Sequence, residues 1–402
     1  MDLDDAAHPI KQNLFKRLVI PALILSRGAT QPPIAVTGLL LIDIGLTFGH
    51  PVGVIGQIRT LSSVIAIIFS LLMGILSIRF KHRSLLITGL TFYSVSALCC
   101  SLSPTFTALL LSYSLTGIGR AMVNPMAGAL VGERLPSERR SKAFGWIFAG
   151  MAISYLVTAP ATGYLAGLGG WRFAFLGFVL PFSLASLALS IIGIPSEPEG
   201  LKSQMKSDDY LLGFKSVLSN KSAVACLLAA ALSEATWGSA LSFSASFFRQ
   251  RFLIPLNLAS LLMSGIAVSC AIGSMVSGYI VNRFGRKTIA VVSALFLGIF
   301  SITYVNINLF WFSLVLMYLN GVVAAIRYAS SDSLTLEQVP EFRGTMMSAN
   351  TAAYSLGSAF GTGLGGLAII YYGYGGLGLT IGSMGIIAAA VFHVLTTDPT
   401  RN

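Results

Sequence analysis

Apolar runs long enough to carry a helix across a bilayer, which takes about 20 residues, follow one another along this chain with little between them. Bounded by charged or turn residues, they number twelve. The first six are Leu14–Ile42, Pro51–Ile78, Leu85–Ser103, Phe106–Val131, Ala143–Leu168 and Phe173–Ile194. The second six are Ala223–Phe248, Leu256–Val281, Thr288–Val305, Leu309–Leu334, Thr345–Tyr371 and Gly375–Leu395. None alternates with the period of two that a barrel strand requires, so the runs read as helices. Only 10% of the 402 residues are charged, against about 25% in a soluble domain. A folded surface in water cannot be covered with so few. The fold class expected is an all-α polytopic membrane protein, which excludes most soluble enzymes and the ordinary nucleic-acid binders.

Basic residues orient the spans, because loops on the cytoplasmic side carry the excess of Lys and Arg. With both termini inside, nineteen basic residues fall on the cytoplasmic side, among them Arg79, Lys81, Arg83, Arg134, Arg139, Arg283, Arg286, Lys287 and Arg343. Four, Arg59, Arg172, Arg249 and Arg251, fall on the outer side. The remaining three, Arg27, Arg120 and Arg327, lie inside spans. The expected location is therefore the cytoplasmic membrane, with the formal charge of +11 acting mostly as a topological label. No cleavable signal peptide is visible, since the chain opens with Asp2, Asp4 and Asp5 and its first span is broken by Pro21, Pro32 and Pro33. Pro195–Lys221, rich in Pro, Glu, Ser and Lys, reads as a linker across the cytoplasmic face. Residues 1–195 and 222–402 are then two six-helix bundles on either side of a 196–221 linker.

The two halves repeat one another. Gly74, Arg79 and Phe80 recur as Gly278, Arg283 and Phe284, each 204 positions later. Glu133, Pro136 and Arg139 recur as Glu337, Pro340 and Arg343 at the same offset. A duplicated bundle joined by one linker can rock about a central site and expose it to either side in turn, the architecture of an alternating-access carrier.

These blocks resemble a known family. Gly278-Tyr-Ile-Val-Asn282-Arg283-Phe284-Gly285-Arg286-Lys287 is similar to the signature loop of the major facilitator superfamily between helices 8 and 9. Its counterpart between helices 2 and 3 runs from Gly74 through Ile78 and Arg79 to Arg83. Pro136–Gly145 and the Gly170-Trp171-Arg172 turn also resemble this superfamily, in its twelve-helix bacterial or archaeal efflux-permease type. The resemblance implies two pseudo-symmetric six-helix bundles, helices 1, 4, 7 and 10 around the central cavity, and a monomeric carrier. It also implies gating roles for the signature loops. The family's Asp at the fifth position of the loop is replaced by Ile78 and Asn282, so Arg79 and Arg83 are expected to lean on Glu133 or Glu337 instead.

Charges in mid-span cost roughly 2.5–3.5 kcal/mol on insertion scales, so those that occur usually face a cavity or a partner. Arg27, Arg120, Glu234 and Arg327 lie in spans 1, 4, 7 and 10, and Glu234 and Arg327 follow Arg27 and Arg120 by 207 positions each. Two readings are open. The four could form structural salt bridges, with Glu234 the counter-ion of Arg27 or Arg120. Alternatively, Glu234 satisfies one or two arginines and leaves the rest to bind an anionic solute, for which planar guanidinium forks are suited. In that reading Arg27, Arg120 and Arg327 form the substrate site with Trp237 and Tyr328, and Glu234 is the proton-coupling acid. Asp332 reads as a gating or helix-end residue, and Asp43 as an outer-loop residue without special role.

Other features point nowhere. Gly361–Gly366 and Gly373–Gly378 fit a dinucleotide fingerprint by letter, but glycines inside spans usually serve close helix packing. Gly285-Arg286-Lys287-Thr288 is not a phosphate loop, and His8, His50, His82 and His393 are too scattered for a metal site. The four cysteines lie in spans as small buried groups. No cofactor, metal, enzyme activity or nucleic-acid partner is expected. The expected partners are a small-molecule substrate, protons and the lipid bilayer. Multidrug or amphipathic-compound efflux by proton antiport is the alternative, although Tyr113 stands where exporters place an Arg four residues before Gly117. A non-transporting sensor of the same fold is the alternative from another class.

Overall fold

The computed structural model describes residues 18–134, 137–195 and 207–399, and the description is helical throughout. Nine helices among these residues are long and apolar enough to cross a membrane, and the bent pair Leu18–Leu39 with Leu41–Phe48 makes a tenth. Two of the nine are each a pair of spans joined by a glycine turn. Ser137–Ala174 breaks at Gly169 and Gly170, and Arg343–Leu395 breaks at Gly373. Gly170 and Gly373 take φ of 74° and 66°, a region open to glycine because it has no Cβ. Dividing the chain there gives twelve spans, in two halves of six, matching the apolar runs of the sequence.

Local sequence explains the irregular first span. Pro32 and Pro33 stand at the start of Gln31–Leu39, where their missing N–H groups cost nothing. At Leu40 the backbone leaves helical geometry, and the axis bends by 60° into Leu41–Phe48.

The internal repeat is visible in the packing. A methyl added to Gly117 in span 4 would collide with the Ser62 carbonyl oxygen in span 2. Gly321 in span 10, 204 positions on, faces Ile266 in span 8, itself 204 after Ser62. The glycines permit these close crossings because dispersion, rather than hydrophobic transfer, holds helices together in lipid.

Polar contacts between the halves run through residues 39–63. Gln57 donates to the Gly363 carbonyl (3.3 Å), Thr60 meets Thr362 (2.9 Å), and Ser63 donates to Ser358 (3.1 Å). Arg249 at the end of span 7 holds Asp43 through two bonds of 2.5 and 3.1 Å, and also donates to the Leu39 carbonyl. Asp43 is thus not an idle loop residue. It lies in the helix after the bend, and its ion pair with Arg249 joins the two halves.

Residues 207–219 of the expected linker form a helix. Val217 is buried with Ala223, Val339 and Met346, and Gly213 lies against Thr345 and Phe342. Asn220 caps span 7, accepting from the N–H groups of Ser222 and Ala223, while its amide donates to the Gln338 carbonyl. This part of the linker is therefore docked on the second half through an apolar face that its charged composition concealed. Residues 196–206 lie outside the described residues.

Candidate functional site

Each half contributes a different kind of wall to the centre of the molecule. In the second half, Glu234 of span 7 and Arg327 of span 10 form an ion pair at 3.2 Å, with Arg327 wholly buried. Tyr328 donates its hydroxyl to the same Glu234 oxygen. The Arg327 guanidinium lies over the Tyr328 ring at 3.7 Å and near Tyr354 at 5.3 Å, and these rings meet edge to face. Tyr354 in turn donates to Asp332 at 2.5 Å, and Asn350 donates to Asp332 at 2.8 Å. Spans 7, 10 and 11 are thereby linked through one guanidinium, two carboxylates and two phenols. The Nε and Nη1 of Arg327 are buried without a hydrogen-bond partner. Trp237, one turn after Glu234, is buried in the apolar core.

The first-half wall carries arginines and no acid among its described residues. Arg120 of span 4 donates to Ser63 at 3.1 Å, while its Nε is buried and unpartnered. Arg27 has its guanidinium 6.0 Å from the Phe148 ring, and no carboxylate of the described residues pairs with it. Tyr93 lies within electrostatic reach of both Arg27 and Arg120.

The structure therefore selects among the expected pairings. Glu234 is the counter-ion of Arg327, not of Arg27 or Arg120, because spans 7 and 10 belong to one bundle and bring them together. Arg327 is consequently paired with an acid, through one of its three guanidinium nitrogens. Among the described residues, Arg27 and Arg120 have no acid partner. Of the two aromatic candidates, Tyr328 is bonded into the charged cluster and Trp237 packs in the core.

The position of Arg59 near the start of span 2 suggests the outer surface, and the structure corrects this. Its side chain is buried within the span and donates to Ser242 of span 7 across the halves. It lies within electrostatic reach of Arg120 and Glu234. Its place two turns inside an apolar run, after Gln57, is the signal the sequence offers. With Arg120 it lines a small cavity of about 20 Å³ shared with Thr30, Pro33, Ser62, Tyr93, Tyr113 and Thr116.

At the signature loops, Arg83 donates to the carbonyls of Ile194 (2.6 Å) and Ile191 (2.8 Å). Glu337 pairs with Arg286 at 3.5 Å. Arg283 donates to the Tyr279 hydroxyl, and Gly285 turns the chain with φ of 92°. Arg79, Gly278 and Asn282 are exposed near the helix ends. The side-chain surroundings of Gly74, Ile78, Glu133, Arg139 and Arg343 lie outside the described residues.

The comparisons with known proteins agree with this architecture. Residues 33–252 and 226–402 both match the Major Facilitator Superfamily. The chain is 24% identical over 308 residues to the uncharacterized MFS-type transporter YceJ of Bacillus subtilis, covering 74% of this chain and 76% of that one. It is 23% identical over 303 residues to Multidrug resistance protein 2 of the same organism, covering 72% and 73%. A 24% identical match to the purine ribonucleoside efflux pump NepI of Salmonella paratyphi B covers 62% of each. Among solved structures, a D-xylose-proton symporter superposes with a TM-score of 0.80 at 15% identity, covering 95% of this chain and 98% of that one. A single-residue mutant of the nucleoside transporter NupG gives 0.77 at 15% identity, covering 94% and 100%. Such low identities speak for the fold alone, but the family match runs through both halves. The chain belongs to the major facilitator superfamily: it is a multi-pass membrane transporter, a carrier and not an enzyme.

Proposed function

We propose that this transporter carries a small organic anion by alternating access, with proton coupling through Glu234. The observation that supports the anion is the asymmetry of charge. The first-half wall holds Arg27, Arg59 and Arg120 with no described acid, while the second half neutralises Arg327 with Glu234. Uncompensated buried cations are costly, and an anionic solute answers that cost during each cycle. Guanidinium forks match carboxylate geometry, which favours a carboxylate over a soft or neutral solute.

Proton coupling rests on electrostatics between the halves. Glu234 lies within reach of Arg120 and Arg59 as well as Arg327. An anion bound at the first-half arginines cancels their support of the Glu234 carboxylate, so anion and proton binding reinforce each other. Positive linkage of this kind favours movement of both in the same direction.

In this reading the membrane is the cytoplasmic membrane, both termini face the cytoplasm, and the protein works as a monomer. The halves divide at residues 195 and 222, and the contacts of Asp43, Gln57 and Thr60 close the side away from the basic loops. The signature-loop residues Arg79, Arg83, Glu133, Arg139, Asn282, Arg283, Arg286, Glu337 and Arg343 act in gating on the basic side.

Export of nucleoside-like or amphipathic compounds is the second reading, favoured by the multidrug and purine ribonucleoside efflux relatives. Proteoliposomes challenged with labelled carboxylates, purine ribonucleosides and cationic dyes under an imposed proton gradient separate the two. Gradient-driven movement of a carboxylate is expected. Movement of nucleosides or dyes alone would replace the first reading with the second.

A further inference from the structure

The cavity beside Arg59 and Arg120 has a composition that neither the family nor the pairing pattern explains. Two guanidinium groups share it, no described carboxylate enters it, and the like charges repel. Hydroxyl groups of Thr30, Ser62, Ser63, Tyr93, Tyr113 and Thr116 complete its wall. Several of these are already committed. Ser62 bonds Thr116 at 2.8 Å, and Tyr113 contacts the Pro33 carbonyl and Thr37 at 3.2 Å each. Among the lining groups the Arg120 Nε is buried without a partner, and Arg59, whose Nη1 is committed to Ser242, and Tyr93 stand on the same wall.

We infer that this cavity is the seat for the carboxylate group of the carried solute, held between Arg59 and Arg120, with Tyr93 as a third donor. The inference rests on the anion reading above and narrows it. It moves the binding centre from Arg327 into the first half and adds Arg59 of span 2 and Tyr93 of span 3 to the site. Pro33 and Ile34 on the cavity wall offer an apolar surface to the part of the solute next to its carboxylate. Unpartnered donors in a low-dielectric site give charge-assisted bonds to an oxyanion, about twice as strong as neutral ones.

The seat is also wired to the contact between the halves. Arg59 donates to Ser242 of span 7, and Arg120 donates to Ser63, which donates to Ser358 of span 11. A carboxylate that claims either guanidinium competes with a bond on which the closed end depends. Occupancy and opening are thereby linked through the same two side chains.

Thermal unfolding of the purified full-length protein in detergent, titrated with acetate, benzoate, succinate and citrate, tests the inference. At least one carboxylate should raise the unfolding temperature of the wild type in a saturable manner. Arg59→Gln and Arg120→Gln should each weaken that carboxylate at least tenfold, and Tyr93→Phe several-fold. Arg172→Gln, which removes a cation that donates to the Ser103 carbonyl away from the cavity, should bind it within threefold of wild type. Arg59→Lys keeps the charge and loses the fork, so it should still weaken binding and serves if Arg59→Gln does not fold. Undiminished binding in the Arg59 and Arg120 variants, or a loss in Arg172→Gln as large as theirs, would overturn the seat while leaving an anionic solute intact. Failure of every carboxylate to shift the wild type would remove the anion reading itself.

Discussion

Arg249 grips Asp43 with both terminal nitrogens, at 2.5 and 3.1 Å, and so ties the end of span 7 to the helix that follows the bend of span 1. The pair is partly exposed, at 13% and 29% of the side-chain surface, so its contribution is modest. A partly exposed, two-fold hydrogen-bonded pair stabilises the closed end by about 1–2 kcal/mol, which corresponds to a factor of about 5–30 in population. Asp43→Asn should therefore raise the accessibility of a cysteine placed at Thr60 to a membrane-impermeant maleimide, within that range. Exchanging the charges, with Asp43→Arg and Arg249→Asp together, should restore protection in part. Equal labelling of Asp43→Asn and the parent would show that the pair does not govern closure.

Glu234 and Arg327 call for a different expectation, because Arg327 is wholly buried. Removing one member of a buried pair leaves an uncompensated charge and costs about 3–5 kcal/mol, whereas removing both is often close to neutral. Thermal unfolding should show Glu234→Ala strongly destabilised, Arg327→Met similarly affected, and the double variant well above either single one. Additive losses in the double variant would show that the pair has no energetic coupling, whatever its 3.2 Å separation.

Glycine packing gives a sharp internal contrast. A Cβ on Gly117 would collide with the Ser62 carbonyl, while a Cβ on Gly132 in the same helix meets no described atom within 4 Å. Gly117→Ala should lower stability by about 1–3 kcal/mol, the usual cost of overpacking. Gly132→Ala should be neutral or stabilising by up to about 1 kcal/mol, through the helix propensity of alanine. Unfolding temperatures in one detergent decide this, and equal effects at the two positions would contradict the packing described for spans 2 and 4.

Much of this molecule was legible from its residues. The spans followed from apolar length, and the duplication from matched pairs such as Gly74 with Gly278. What could not be read was which buried charges meet. The 207-residue symmetry placed Arg27 with Glu234 and Arg120 with Arg327, but symmetry between bundles says nothing of contact within one. Spans 7 and 10 share a bundle, so Glu234 meets Arg327. Arg59 was missed for a related reason. An Arg near a span's end is ambiguous between interface and interior, and only the crossing of span 2 with span 7 decides that it is buried. The linker helix was hidden because its apolar face is short and set among charged residues.

Flux through the Glu234→Gln variant tests the central claim most directly. Reconstituted wild-type protein should accumulate a labelled carboxylate when an inward proton gradient is imposed, and should also exchange it across the membrane without one. In Glu234→Gln, exchange should persist while accumulation no longer responds to the gradient, and in Arg120→Gln both should fall at least tenfold. Gradient-driven accumulation that survives in Glu234→Gln would contradict the coupling role and leave that residue as the counter-ion of Arg327 alone.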